Sequence, residues 1–148
     1  MVDIRHKVGI ETESTDEVFR ALTTVDGLAK WWTTDTEGDG DVGGTLRFRF
    51  GEKGGFDMEV LEAEPGTGVR WQVVDGPEEW VGTTIDWALR QDDGETVVLF
   101  THEGWREPVE FMHHCSTKWA TYLVSLKSLV ETGTGAAAPD DVRISSWD

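Results

Sequence analysis

Residues 108–133, "PVEFMHHCSTKWATYLVSLKSLVETG", predict one long helix. Pro108 suits the start of a helix and Gly133 suits its end. At about 100° per residue, the apolar side chains fall within one arc of about 120°. These side chains are Phe111, Met112, Cys115, Trp119, Tyr122, Leu123, Leu126, Leu129 and Val130. A helix of roughly 22 residues, about twice the average length, needs a broad apolar surface to cover this face.

The segments before the helix supply that surface, because large apolar residues alternate with polar ones along several stretches. The alternation predicts as inward positions Leu46, Phe48 and Phe50, then Phe56, Met58 and Val60, then Val69, Trp71 and Val73, and then Ile85, Trp87 and Leu89. A period of two indicates an antiparallel sheet with one buried face. Residues 2–12 alternate in the same way, and two short helices are predicted after them, in "ESTDEVFRALTT" (13–24) and "LAKWW" (28–32).

Together these patterns predict an α+β protein. A curved antiparallel sheet of about six to seven strands wraps around the long helix, with the two short helices after the first strand. We assign residues 1–135 to a single domain, in keeping with the length of 148 residues. Residues 136–148, "AAAPDDVRISSWD", are small, polar and acidic, which predicts a mobile tail that Trp147 could anchor.

The charge of the chain restricts its partners. It has 29 acidic and 13 basic residues and a net charge of -16. Such a surface repels phosphate and anionic lipid, so we expect neither nucleic-acid nor membrane partners. A highly solvated surface, with or without adaptation to high salt, accounts for the charge. One cysteine, no apolar leader and no spanning segment predict a cytoplasmic location.

The triplet His113, His114 and Cys115 has the residue types of a metal site or a thiol–imidazole pair. On a helix, however, adjacent residues point about 100° apart and cannot converge on one ion. The positions four residues after the histidines hold Thr117 and Lys118, which are not usual metal ligands. We therefore expect no metal and no cofactor here, with both histidines outside the apolar arc and the thiol buried as a small apolar group.

The order of segments resembles the helix-grip fold of the START-like superfamily, also called SRPBCC. Within it, the chain is similar to homologues of the activator of the heat-shock-protein-90 ATPase. The resemblance rests on "STDEVFRALTTVDGLAKWW" (14–32), "GG" (43–44), "FDMEVLEAEPGTGVRW" (56–71), "TTIDWAL" (83–89), "THEGW" (101–105) and "KWATYLVSLKSLVETGTG" (118–135). It implies a deep central cavity between sheet and long helix, used across the superfamily for apolar small molecules, and it supplies no shared catalytic set.

The eight tryptophans fit such an aromatic cavity. The residues predicted to line it are Trp32, Phe48, Phe50, Phe56, Met58, Trp71, Trp87, Phe100, His102, Cys115, Trp119 and Tyr122. We expect Trp31 beside Trp32 at the mouth, and Trp80 and Trp105 near the opening. No convergent catalytic set is evident; His102 and Tyr122 are the candidates for an acid/base or orienting role.

Three functions stay open on the sequence. The first is binding of an apolar or aromatic small molecule without catalysis. The second is an enzyme of the polyketide cyclase/dehydratase kind, which would use His102 and Tyr122. The third is a protein-interaction module that contacts a chaperone through its acidic surface or pairs with a second copy as a homodimer.

Overall fold

The computed structural model describes all 148 residues of the chain. The strands are β1 (Val2–Ile10), β2 (Asp35–Gly38), β3 (Thr45–Arg49), β4 (Gly55–Glu64), β5 (Gly68–Asp75), β6 (Thr84–Asp92) and β7 (Glu95–Trp105). The α-helices are α1 (Thr15–Thr23), α2 (Val25–Trp31) and α3 (Glu110–Thr132). The strands form one antiparallel sheet in the order β1-β7-β6-β5-β4-β3-β2.

This arrangement confirms the predicted α+β helix-grip architecture of seven strands, two short helices and one long helix. Side chains at the predicted boundary fix the short helices. The Ser14 hydroxyl accepts a hydrogen bond from the Glu17 backbone N–H and begins α1. Thr24 ends α1 and begins α2, since its hydroxyl accepts from the Gly27 N–H.

The long helix α3 has almost the predicted limits. It begins at Glu110, just after Pro108, and ends before Gly133, which has φ +87 and donates its N–H to the Leu129 carbonyl. A positive φ of this size favours glycine, and it ends the helix in the left-handed conformation. Although α3 spans 23 residues, neither it nor a shorter helix has enough apolar residues in succession to cross a bilayer.

Strand register places the largest side chains opposite one another. Trp87 on β6 pairs with Phe100 on β7, and Trp71 on β5 pairs with Val60 on β4. His102 follows Phe100 on the same face of β7. Trp71, Trp87 and Phe100 belong to a core of 27 buried apolar residues that also includes residues of all three α-helices. Full burial of one large apolar side chain contributes about 1.5–3 kcal/mol, so this layer holds α3 on the sheet.

The structure adds one element that the sequence patterns did not predict, since residues 35–38 form the edge strand β2. Residues 136–148, for which we expect a mobile tail that Trp147 could anchor, follow α3 back and contact it. Ala138 is buried and donates its N–H to the Trp32 carbonyl, and its own carbonyl accepts from the Thr34 N–H.

The expected central cavity is also displaced. The space between the middle of the sheet and α3 is filled by aromatic side chains that are almost completely buried, among them Trp71, Trp87 and Phe100. Trp87 lies 4.9 Å from Phe100 and 5.6 Å from Trp71, measured between ring centroids. The pocket of this protein therefore lies at one end of the sheet–helix interface rather than in its centre.

Candidate functional site

A pocket of about 1200 Å³ opens between the first half of α3, the β3–β4 loop, the β5–β6 loop, the segment after α2 and the tail. Its aromatic wall consists of Trp32, Phe50, Phe56, Trp80, Phe111, Trp119, Tyr122 and Trp147. This volume is somewhat larger than the range of about 300–1,000 Å³ that is usual for small-molecule sites in proteins.

Several rings of this wall contact one another. Trp80 stacks on Phe56 with 3.9 Å between ring centroids and on Trp119 at 5.8 Å. Trp32 lies 5.0 Å from Trp119 and 6.1 Å from Phe50. The rings come from the residue after α2, from β4 and the loops beside the strands, and from α3, so the pocket exists only when all of these elements are packed together.

The structure divides the twelve predicted cavity residues into two equal groups. Those that line the pocket are Trp32, Phe50, Phe56, Cys115, Trp119 and Tyr122. Those that do not line the pocket and lie in the interior are Phe48, Met58, Trp71, Trp87, Phe100 and His102. The periods of the strands and of α3 predict which side chains point inward, but they carry no information on where along the sheet the interior stays open.

His102 is enclosed by a chain of hydrogen bonds. The indole Nε1 of Trp119 donates to His102 Nδ1 at 3.2 Å. Because an indole can only donate, Nδ1 accepts and the proton lies on Nε2, which donates to Thr83 Oγ1 at 2.8 Å. Burial lowers the pKa of His102 to about 3, so the ring is neutral at physiological pH. With both nitrogens occupied and no surface exposed, His102 joins β7 to α3 and to the β5–β6 loop.

Tyr122 does lie at the pocket, and its partner comes from the tail. Its hydroxyl donates to Asp141 Oδ2 at 2.8 Å. Lys118, one turn earlier on α3, contacts Asp141 and Asp148 Oδ2, the latter at 2.8 Å. Burial first, and then the nearby carboxylates, raise the pKa of Tyr122 far above its usual value. The phenol therefore acts as a hydrogen-bond donor in this environment.

The histidine–cysteine triplet separates as helical geometry predicts. His113 is exposed, whereas His114 is half-buried at the rim, where its Nδ1 lies 2.9 Å from Ser145 Oγ. Burial lowers the pKa of His114 and raises that of the Cys115 thiol to about 12. No group of three or more His, Cys, Asp or Glu side chains is arranged to hold a metal ion.

Three further tryptophans were assigned to the mouth or the opening. Trp80 lines the pocket as expected. Trp31 instead lies in the core, where its Nε1 donates to the Ala21 carbonyl at 2.7 Å. Trp105 is buried at the end of β7, 5.1 Å from the His102 ring. The interpretation of Trp31 was wrong because adjacent helical residues face different directions, and only Trp32 turns toward the pocket.

Sequence reasoning missed Lys118, Phe111 and the tail residues Asp141 and Asp148, all of which line the pocket. Lys118 lies at the edge of the apolar arc of α3, but we considered it only as an unlikely metal ligand. Nothing local in the sequence shows that the tail returns to this lysine. The signal available was Trp147, an aromatic residue in an otherwise small and polar tail.

The fold and this pocket define the class as a helix-grip protein with an aromatic site under its long helix. Residues 13–131 match the family described as Activator of Hsp90 ATPase homolog 1-like protein. Because the match covers more than half of the chain, the protein belongs to this family. No protein among the curated ones matches the sequence.

Solved structures agree with that assignment. The Aha1 dimer from Colwellia psychrerythraea is 45% identical, with a TM-score of 0.83 over 91% of this chain and 100% of that one. The protein SSP2350 from Staphylococcus saprophyticus is 18% identical, with a TM-score of 0.74 over 93% of this chain and 98% of that one. DynU16, from the dynemicin biosynthetic locus, is 23% identical, with a TM-score of 0.73 over 90% of this chain and 48% of that one. The two less identical structures establish the fold alone.

Proposed function

We propose that this protein binds an apolar, ring-containing small molecule in the pocket beside α3, without catalysing a reaction on it. The observation that carries the proposal is the wall of eight aromatic side chains around a volume of about 1200 Å³. Aromatic side chains provide large contact areas and preferred stacking geometries, which suit a flat apolar ligand.

The same geometry argues against the cyclase/dehydratase alternative. That role needed His102 at the cavity as an acid or base, and a general acid/base must reach the reacting proton. His102 is sealed and engaged at both nitrogens. Tyr122 alone remains at the pocket, where its hydroxyl can orient a ligand but has no neighbouring base other than the tail carboxylates.

Calorimetric titration with naphthoate and its neutral analogue naphthamide tests the proposal. We expect saturable binding of at least one of them to the full chain. Phe50→Ala, which removes one ring of the pocket wall, should weaken that binding about five- to tenfold, in line with the loss of one aromatic contact. Leu99→Ala is the matched control, because Leu99 is an exposed apolar residue on β7 outside the pocket. Absence of binding, or equal loss in both variants, would contradict the proposal.

A second candidate function is self-association. It is favoured by the 45% identity to an Aha1 dimer that this chain covers completely. Sedimentation equilibrium over a hundredfold range of protein concentration tests it directly. A species of one chain mass at every concentration would rule the homodimer out, and a twofold mass would support it. An interaction with a chaperone stays a further proposal that rests on family membership and the acidic surface alone.

A further inference from the structure

The tail and α3 meet at an unusual ionic contact inside the mouth of the pocket. Only 14% of the Lys118 side chain is exposed. Its ammonium group contacts Asp141 Oδ2, Asp148 Oδ2 at 2.8 Å and the Val142 carbonyl at 3.0 Å. An ammonium group has three protons to donate, and the tail accepts all of them.

The Tyr122 hydroxyl shares one of these carboxylates. It donates to the same Asp141 oxygen that Lys118 contacts, and the ammonium lies 5.3 Å from the centre of the Tyr122 ring. Lys118 and Tyr122 therefore form a carboxylate-binding pair on adjacent turns of α3. The ring of Trp32, 6.4 Å from that of Tyr122, continues this pair into the aromatic wall.

Apart from these ionic contacts, the outer part of the tail is held by the contact of Ser145 Oγ with His114 Nδ1 and by Trp147 at the rim. No residue after Ala138 is buried, and almost half of the Trp147 surface, 47%, is exposed. Trp147 contacts only the rim, with its ring 5.7 Å from His114 and 6.4 Å from Phe111. Burial alone would raise the pKa of Asp148, but hydrogen bonds from Lys118 and from the N–H groups of Ile144 and Ser145 lower it to about 2. Charge, rather than apolar burial, thus holds residues 139–148 in the pocket mouth.

We infer that the pair Lys118–Tyr122 is a subsite for the carboxylate of an aromatic acid, and that the tail occupies this subsite until such a ligand displaces it. The inference rests on the proposed function and specifies its ligand class. The carboxylate of the ligand takes the place of Asp141, while its rings lie on Trp32, Trp80 and Trp119. Because the tail is tethered, it competes for the subsite at an effective concentration on the order of millimolar. A free ligand displaces the tail only when its concentration and affinity together outweigh this competition.

The local charge supports an acidic ligand in spite of the net charge of -16. Four of the 13 basic residues line the pocket, namely Arg49, Lys53, Lys118 and Arg143. The acidic lining residues are Asp35, Glu52, Asp75, Asp141 and Asp148, of which the last two belong to the tail. The basic Arg143 also belongs to the tail, so departure of the tail removes two acidic residues and one basic residue from the lining. Three basic and three acidic residues then remain, and the Lys118 ammonium is without its partners.

Two substitutions separate the subsite from the rest of the pocket. Lys118→Met keeps the length and apolar stem of the side chain but removes the charge. We expect the wild-type chain to prefer naphthoate over naphthamide at least tenfold, and Lys118→Met to lose that preference, since a hydrogen-bonded charge contributes about ten- to a hundredfold. Tyr122→Phe removes only the hydroxyl and should reduce the preference about threefold.

The tail is tested by Asp141→Asn/Asp148→Asn in the full chain. This double variant should bind naphthoate about tenfold more tightly than wild type, with a smaller gain for naphthamide. Asp41→Asn/Asp93→Asn makes the same change in net charge at exposed positions outside both the pocket and the tail, and should leave both affinities unchanged. Far-UV circular dichroism confirms folding of each variant.

The results of these titrations distinguish a failure of this inference from a failure of the proposed function. If both compounds bind but Lys118→Met and Asp141→Asn/Asp148→Asn leave the naphthoate preference and affinity unchanged, this inference is overturned and the proposed function stands. An equal gain in the control double variant would show a general charge effect and also overturn it. If neither compound binds any variant, the inference and the proposed function fail together.

Discussion

The sealed interior and the pocket of this protein are built from the same kind of aromatic side chain, but they differ in how their polar groups are satisfied. In the interior, His102 is held by Thr83 and by the indole N–H of Trp119, whose ring also lines the pocket. The indole N–H groups of Trp71, Trp87 and Trp105 are buried there without a partner. At the pocket, Lys118 and Tyr122 find their partners only on the tail. A polar group that the folded core satisfies is structural, whereas one satisfied by a weakly held segment is available for a ligand. We therefore expect the polar groups of the interior to stabilise the fold and those of the pocket to bind a ligand.

The largest contrast between the regions should appear when an aromatic ring is removed from each. Trp87→Ala should lower the free energy of unfolding by about 3–5 kcal/mol, because it leaves a cavity among fully packed rings. Phe50→Ala, at the half-buried wall of the pocket, should cost only about 1–2 kcal/mol, since solvent already reaches that space. Urea unfolding followed by circular dichroism measures both. Equal losses would mean that the pocket wall is as tightly packed as the interior.

The next contrast concerns pH and His102. The unfolded chain binds a proton at this histidine near pH 6.5, whereas the folded chain does so only near pH 3. The unfolded state therefore binds more protons in this window, and stability falls as pH falls, by up to about 1.4 kcal/mol per unit for this group.

His102→Leu removes that proton uptake. We expect the variant to be less stable than wild type at pH 7 by about 1–3 kcal/mol, because Trp119 and Thr83 lose their partner. Between pH 6.5 and pH 4, however, its stability should fall less steeply than that of wild type. Thermal or urea unfolding across this range gives the two slopes, and parallel slopes would show that His102 is not buried as a neutral ring.

A smaller effect is expected at the pocket, where Lys118→Met should loosen the tail with little loss of global stability. The tail after Ala138 contributes no buried residue, so the free energy of unfolding should change by at most about 1 kcal/mol. Tryptic cleavage after the exposed Arg143 should become several-fold faster. Lys53→Met is the matched control, since Lys53 lines the same pocket without an ion-pair partner. Cleavage as slow as in wild type would show that the ion pairs do not hold the tail.

The smallest effect is expected at His113, which belongs to the triplet with the residue types of a metal site. His113→Ala should change the free energy of unfolding by no more than about 0.5 kcal/mol and leave naphthoate binding unaltered, because the side chain is exposed. His114→Ala should cost slightly more, since it removes the contact with Ser145. A marked loss of binding in His113→Ala would place part of the site outside the pocket described above.

The sequence predicted the fold well because the signals for it are periodic. The apolar arc of α3 and the alternation around Phe48 and Trp71 each repeat several times, and a wrong register would turn every large residue into solvent. The site was predicted only in part. Which of the inward rings touch one another and which leave a space depends on side-chain volumes summed across β4, β7 and α3, and no local pattern records that sum.

The role of the tail was beyond local reasoning for a different reason. Asp141 lies 23 positions from Lys118, and nothing in the tail composition distinguishes a segment that returns to the helix from one that stays in solvent. His102 illustrates the opposite error, since its position on the inward face was predicted correctly but its enclosure by Trp119 and Thr83 was not. The repeat period of a strand or helix predicts which way a side chain points. Whether a ligand can reach that side chain depends on how its neighbours pack around it.

The central claim is that the pocket beside α3, and not the aromatic interior, receives the ligand. Intermolecular nuclear Overhauser effects between naphthoate and the indole protons of the eight tryptophans test it most directly. We predict contacts to Trp32, Trp80 and Trp119, loss of the Trp147 contact with His114 as the tail departs, and none to Trp71 or Trp87. Contacts to Trp71 and Trp87 would contradict the account, because they would show that the interior opens to admit the ligand.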